Sequence, residues 1–419
     1  MTPYAGAASF GGVAGAPAAA ADGPGAGDPR DAARPPLDPR AARTANRLML
    51  AALAFFLLAF AVAAPWDIWY HTREPFETFW VAPHVALYTA VAFMAATVAA
   101  VVNRPDLRAC FGPPLPGMPK RIAVPAPLFL MGAAIAVLVA AGATDSVWHT
   151  LWGQDETRWS YPHGLIGWGT YMASLAFCSC RLALRSVVPF GRFSAVGYAL
   201  PVLVFSMPAI LGPMALHISP EHNVALAATP GFAGAGTQRM MEVVFYWGLD
   251  RTNPLFLAMA ASYAVAATAM LRMLDPRPWR MLEAALAGTT LYMAVHIGWA
   301  ATNGLLWSFR TWAPLPVLPG LAAWAAARRA GLSAPSAWAA TGLASSLTAA
   351  AVYLPSATGF SMALAGAPVG WAVGRLADRL SLELETPGPR AMPVVALLMG
   401  AALPAVLGTV DLVLRMGTP

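Results

Sequence analysis

Apolar runs long enough to cross a membrane recur along this chain from residue 47 onwards. A helix needs about 20 mostly apolar residues to span a bilayer, and lipid leaves an open sheet edge without hydrogen-bond partners. The chain contains about eleven such runs, at residues 47–66, 82–102, 122–144, 162–182, 193–216, 254–272, 281–302, 313–328, 336–354, 357–376 and 392–414. The sequence therefore predicts an all-α, polytopic integral membrane bundle.

Composition excludes several classes of protein. Hydrophobic residues make up 58% of the 419 positions and charged residues only 11%, whereas a soluble domain averages about 25% charged residues. We therefore exclude an ordinary soluble enzyme, and we expect no nucleic-acid partner despite the net charge of +6. No phosphate-binding loop or nucleotide fingerprint is present, so we expect no nucleotide. The expected surroundings are the lipid bilayer, and the sequence leaves open whether other membrane subunits or a homo-oligomer accompany the chain.

Charge predicts the orientation of the bundle. Arginine and lysine cluster in alternate loops, on the same side as the N-terminal segment. The positive-inside rule then places the N-terminus in the cytoplasm and makes the chain a multi-pass protein of the inner or plasma membrane. The seven histidines all fall on or near the opposite, non-cytoplasmic face. Residues 1–44 are rich in Ala, Gly and Pro and predict a disordered cytoplasmic tail.

A repeated motif occupies the first four spans. Both copies read D-x-x-x-H followed by E-T-x-W-x-x-P-H, and they supply Asp67, His71 and His84 in the first copy and Asp145, His149 and His163 in the second. An Asp and a His four residues apart share one helical face, and a Pro just before the next His suits the first turn of a new helix. We therefore predict an internal duplication in which residues 45–190 form a four-helix metal-site unit. Residues 191–419 form a second helical membrane region of unknown role.

The donor set indicates which metals suit this motif. One carboxylate and two imidazoles with an open position favour copper, zinc or non-haem iron over magnesium or calcium. Four tryptophans next to the motifs are predicted to line the site, and they also fit an interfacial aromatic belt: Trp69, Trp80, Trp148 and Trp159. Two other interpretations stay open, because Asp and His are ordinary residues at a membrane interface and also serve in proton relays.

A few further residues are candidates for additional or supporting ligands. They are His217, His222, His296 and Glu242. The two histidines of the 217–253 segment form a second site or line a vestibule, and the acid acts as a relay or pairs with a nearby arginine. The same segment is partly apolar and suggests a re-entrant or interfacial helix.

The repeated motif resembles a copper-binding membrane subunit of the particulate methane and ammonia monooxygenases. In that family one copper site reads D-x3-H-x12-H and its neighbour reads N-x3-H-x13-H. The first copy here has the spacing of the first pattern and the second copy has the spacing of the second, although Asp145 stands where the family has Asn. The resemblance covers about residues 45–185. It implies copper as the cofactor and a copper-dependent monooxygenase as the activity to which the chain contributes.

The residues alone leave three functions open. The first is a copper protein similar to the monooxygenase subunit, with zinc or iron as other metals for the same sites. The second is a membrane transporter, or a protein that handles metal ions or protons, with the same residues as transient sites. The third is a structural subunit of a larger membrane complex.

Overall fold

The computed structural model describes residues 37–71, 79–116, 118, 123–152, 161–215, 254–275, 277–303, 317–353 and 355–385. Throughout these ranges the regular secondary structure is helical, as the sequence predicts. The predicted segment 217–253 and the predicted span 392–414 lie outside them. Of the predicted tail, only residues 37–44 are included, and a helix begins there at Pro39.

Twelve helices form in the described part of the chain. They are α1 (Pro39–His71), α2 (Ala82–Val102), α3 (Pro105–Ala109), α4 (Ala126–Trp152), α5 (Tyr161–Leu184), α6 (Arg192–Ala215), α7 (Pro254–Leu274), α8 (Pro278–Asn303), α9 (Val317–Arg329), α10 (Ala334–Tyr353), α11 (Ala357–Ala363) and α12 (Gly366–Glu385).

Proline marks the first turn of many of these helices. It is the first residue of α1, α3, α7 and α8 and the second residue of α2 and α5. Proline is tolerated there because the N–H group that it lacks would have no partner within the helix. At the start of α1 the carboxylate of Asp38 also accepts hydrogen bonds from the backbone N–H groups of Arg40 (3.0 Å) and Ala41 (3.3 Å). This cap explains why α1 begins inside the predicted tail.

Within the described ranges, three helical segments are long and apolar enough to cross a membrane, and a fourth is apolar but shorter. The three are Pro39–Ala59, Ala82–Val102 and Ala126–Val147, and the shorter one is Ala260–Leu274. Large apolar side chains such as Leu58, Phe93 and Val139 point outward from the first three segments. An outward apolar surface suits acyl chains rather than water. The described chain is therefore a helical bundle that associates with a membrane.

The largest hydrophobic cluster of the described residues extends through most of the bundle. Residues of α1, α2 and α4 to α10 contribute to it, with Phe56, Phe177 and Trp338 among its fully buried side chains. The helix α7 lies at its centre and packs against helices from both halves of the chain, α5 and α6 on one side and α9, α10 and α12 on the other. Of the four long helices of the repeat, α1 and α5 pack against the second half of the chain.

A polar node links three helices of the second half. Within this node the Arg272 Nη1 atom lies 2.7 Å from Oδ1 of Asp378, and the indole N–H of Trp338 donates to Oδ2 of the same carboxylate (2.8 Å). The Arg272 guanidinium also lies over the Trp338 ring, 5.3 Å from its centroid. One carboxylate therefore fixes α7, α10 and α12 to each other.

The predicted span 357–376 is two helices rather than one. The helix α11 ends at Ala363, where the backbone N–H groups of Leu364 and Ala365 bond to carbonyls three residues earlier. Such bonds tighten the last turn of a helix. A new helix, α12, then starts at Gly366 with Pro368 in its first turn. The hydropathy pattern does not mark this break because the residues on both sides of it are apolar.

The two ends of the bundle differ in character. A buried cluster joins the start of α1, the end of α2, the start of α4 and the end of α5, through Ala42, Val101, Leu128 and Leu184. We call this the arginine end, because the turns after α2, α5 and α7 carry arginines there. The end of α1 and the start of α2 lie opposite, and we call that the histidine end.

Candidate functional site

The first copy of the repeat brings two of its residues together at the histidine end. Asp67 lies in the last turns of α1, and His84 is the third residue of α2. The Nε2 atom of His84 is 3.1 Å from Oδ1 of Asp67, and the two side chains are only 5% and 13% exposed. The imidazole and carboxylate that the spacing predicts to converge are thus in direct contact.

The second copy places a buried carboxylate nearby. Asp145 lies on α4 and is 2% exposed. The Pro-His pair of this copy occupies the second and third residues of α5, which are the positions that the first pair occupies in α2. The two copies therefore have the same backbone arrangement around their Pro-His pairs.

Three of the six predicted ligands are placed by backbone alone. His71 is the last residue of α1, His149 lies one turn after Asp145 on α4, and His163 lies on α5. Their side chains lie outside the described ones. Among the side chains that are described, no three His, Cys, Asp or Glu groups are arranged to hold a metal ion.

A tyrosine outside the repeated motif connects the two copies. Tyr88 lies one turn after His84 on α2, and the two rings are nearly perpendicular with centroids 6.5 Å apart. The Tyr88 hydroxyl packs directly against Gly142 of α4, where an added Cβ atom would collide with it. Gly142 precedes Asp145 by three residues on the same helix. Tyr88 is therefore close enough to interact electrostatically with both Asp67 and Asp145.

Sequence reasoning missed Tyr88, and the only signal for it is helical spacing. It stands four residues after His84 and so shares a helix face with it. The second copy has Gly167 at the matching position, four residues after His163, so the repeat itself does not point to Tyr88.

Aromatic rings cover the outer side of the Asp67–His84 pair. The Phe79 ring lies 5.0 Å from the Tyr88 ring and 6.2 Å from the His84 ring, measured between centroids. Trp80 packs edge-on against Phe79 and is 77% exposed, so it stands at the rim of the site, where an interfacial tryptophan is expected. The side chains of Trp69 and Trp148, and the whole of Trp159, lie outside what the structure describes.

The other candidate ligands are not part of the described site. His217, His222 and Glu242 lie outside the described residues, and His296 is placed on α8 by its backbone only. The geometry therefore rests on Asp67, His84, Tyr88 and Asp145.

This arrangement has two chemical uses. Two carboxylates, an imidazole and a phenol at one end of an apolar bundle provide oxygen and nitrogen donors for a cation. Groups of these types can also hold and pass protons, and ionisable residues at membrane depth usually have a function because burying them is costly.

Comparison with known proteins gives no further guide. No family model, no curated protein and no solved structure matches this chain. The similarity to the copper monooxygenases consequently rests on the spacing of the two motifs.

Proposed function

We propose that this chain is a multi-pass membrane protein that binds transition-metal ions at its histidine end. The observation that carries the proposal is the 3.1 Å contact between His84 and Asp67. Sequence spacing alone selects these two residues, and the fold buries them side by side. Ionisable residues at membrane depth usually have a function, because burying them is costly.

The proposed topology has about eleven spans, a duplication of the first four and a cytoplasmic N-terminus. Two observations support it. Buried residues of four helices gather at the arginine end, opposite the Asp67–His84 pair. The Pro-His pairs also hold equivalent positions in α2 and α5. On this topology the metal site faces the non-cytoplasmic side.

Each copy of the repeat would hold one ion. The first set is Asp67, His71 and His84, and the second is Asp145, His149 and His163. Copper is the first candidate because the spacing matches the copper motifs of the monooxygenase family, and zinc and iron suit the same donors.

A bound copper ion supplies redox chemistry with an open coordination position. The protein's part is to fix the carboxylate and imidazole of the ligand set and to exclude water with Phe79 and the surrounding helices. The activity we propose is that of one component of a copper-dependent membrane monooxygenase, acting with other membrane subunits.

One observation favours a second function, the transport of metal ions or protons. Asp145 is almost fully buried, and Tyr88 interacts electrostatically with both Asp145 and Asp67. A series of ionisable groups that crosses from one helix pair to the next is typical of a proton or ion path. In this function the ions bind transiently at the same residues.

Two measurements distinguish the metal-binding function from the transport function: the amount of metal that the protein retains and the flux of ions across a membrane that contains it. The full-length protein would be purified from membranes, loaded with copper, zinc or iron, desalted and analysed for bound metal. Asp67→Asn and His84→Ala are the test variants. Asp106→Asn is the matched control, because Asp106 is an exposed carboxylate at the arginine end that pairs with Arg104.

The proposal predicts one or two ions per chain in the wild type and the control, and a loss of about one ion in each test variant. Metal that exchanges during desalting, together with flux into protein-containing vesicles, would favour the transporter instead. Absence of both metal and flux after reconstitution would contradict both functions and leave a structural subunit.

A further inference from the structure

A cleft at the arginine end has no place in the proposed metal chemistry. It has a volume of about 380 Å³ and opens between the α5–α6 turn, the start of α6 and the hairpin of α7 and α8. Its walls are mostly apolar and include Phe190, Ala195, Leu271, Leu274, Met281 and Ala284. Water molecules find few hydrogen-bond partners in such a space, so the cleft suits an apolar ligand better.

Charged residues stand at the mouth of this cleft, and most of them are paired. The Arg277 Nη2 atom is 2.6 Å from Oδ2 of Asp275, and its Nε atom is 2.9 Å from Oδ1 of the same carboxylate. Arg192 faces Glu283 across 3.5 Å. Arg280 also lines the cleft, and within the described part of the chain its guanidinium forms no salt bridge or side-chain hydrogen bond. Arg280 still lies close enough to Asp275 to interact with it electrostatically. The three arginines outnumber the two carboxylates, so these groups give the mouth a net charge of +1.

The residues beside the mouth are those of a membrane interface. Phe193, in the first turn of α6, is 96% exposed, and Trp279, at the start of α8, is also exposed. Aromatic side chains at helix ends are typical of the level of the lipid headgroups. With these aromatic residues at the headgroups, the apolar interior would face the acyl chains and Arg280 would face the phosphates.

We propose that this cleft binds one anionic phospholipid. An acyl chain occupies the apolar interior, and the phosphodiester lies against Arg280, with the exposed Arg192 as a second donor. A phosphodiester carries a single negative charge, which balances the net charge of +1 at the mouth. Basic pockets between helices on the cytoplasmic side of a membrane bind anionic headgroups in this way. The inference is independent of the metal site, because the cleft is at the opposite end of the bundle.

Native mass spectrometry of the full-length protein in detergent tests the proposal. Phosphatidylglycerol and phosphatidylcholine with identical acyl chains are titrated separately, and the dissociation constant of the first bound lipid is measured. Arg280→Gln removes the unpaired charge. Ala287→Trp fills the cleft from an exposed position of α8, where a large side chain leaves the core intact. Arg104→Gln is the matched control, since it removes an exposed arginine of the same end, away from the cleft.

We expect the wild type to bind phosphatidylglycerol about fivefold more tightly than phosphatidylcholine, the ratio that one arginine near a membrane surface supplies. Arg280→Gln should remove this preference, Ala287→Trp should weaken binding of both lipids, and Arg104→Gln should change neither. An unchanged preference in Arg280→Gln, or an equal loss in Arg104→Gln, would overturn the proposal. Competition by inorganic phosphate at the concentration of the lipid would also overturn it, because the cleft would then be a site for the free anion.

Discussion

A single methyl group on α4 tests the contact that joins the two copies of the repeat. In Gly142→Ala the new Cβ atom overlaps the hydroxyl and the adjacent ring carbons of Tyr88. The Tyr88 ring has to move by about 1 Å to restore an ordinary contact, and such overpacking costs about 1–3 kcal/mol. The displaced phenol also changes its electrostatic interactions with Asp67 and Asp145, so we expect metal affinity to fall with stability.

Gly132→Ala on the same helix is the matched control, because a Cβ atom there meets nothing within 4 Å. Both substitutions gain helix propensity of about 1 kcal/mol, so the difference between them isolates the collision. Unfolding free energies measured in mixed detergent micelles should place Gly142→Ala about 1–3 kcal/mol below Gly132→Ala. Adding Tyr88→Leu should recover most of that loss. Equal stabilities of the two alanine variants would refute the placement of Tyr88 against α4.

Two further predictions concern the stability of the second half of the chain. In the polar node, Asp378→Asn removes the ion pair with Arg272 and weakens the hydrogen bond from the Trp338 indole. The unfolding free energy should therefore fall by about 1–3 kcal/mol. The control Asp106→Asn, which changes an exposed ion pair, should lower the unfolding free energy far less. At the α7–α8 turn, burial raises the pKa of Asp275, but hydrogen bonds from Arg277 outweigh it and hold that pKa below its usual value. This carboxylate therefore stabilises the fold above the ordinary aspartate pKa of about 4 and loses that contribution as the pH falls through its lowered value. Stability measured between pH 7 and pH 3 should fall at the acid end, and Asp275→Asn should flatten that fall; an unchanged profile would contradict the assignment.

The all-helical fold of the described residues could be predicted from sequence, although only three of the predicted spans are found there as helices of spanning length and apolarity. Apolar runs of spanning length must be helices, and prolines at their starts mark the boundaries closely. The helix α2 begins and ends at the predicted residues 82 and 102. The division of 357–376 into α11 and α12 could not be predicted, because it depends on backbone turns within an apolar stretch rather than on a change in hydropathy.

The candidate site was predictable only where it depends on spacing along one helix or across one short connection. Asp67 and His84 flank such a connection, and they meet. The role of Tyr88 could not be predicted, because its contact with Gly142 depends on how closely α2 approaches α4. That distance is set by the side chains of the whole interface, and no local pattern records it.

The most direct test of the metal site is pulsed electron paramagnetic resonance of the copper(II)-loaded, full-length protein. A histidine ligand couples its imidazole nitrogens to the unpaired electron of copper, so each bound imidazole is counted separately. His149→Ala removes the second site, so that only the first one is measured. In this background we predict nitrogen coupling from the imidazoles of the first site, and adding His84→Gln should remove one coupled imidazole or the bound copper itself. An unchanged copper content and an unchanged spectrum on adding His84→Gln would show that His84 does not bind the metal, and would contradict the proposed site.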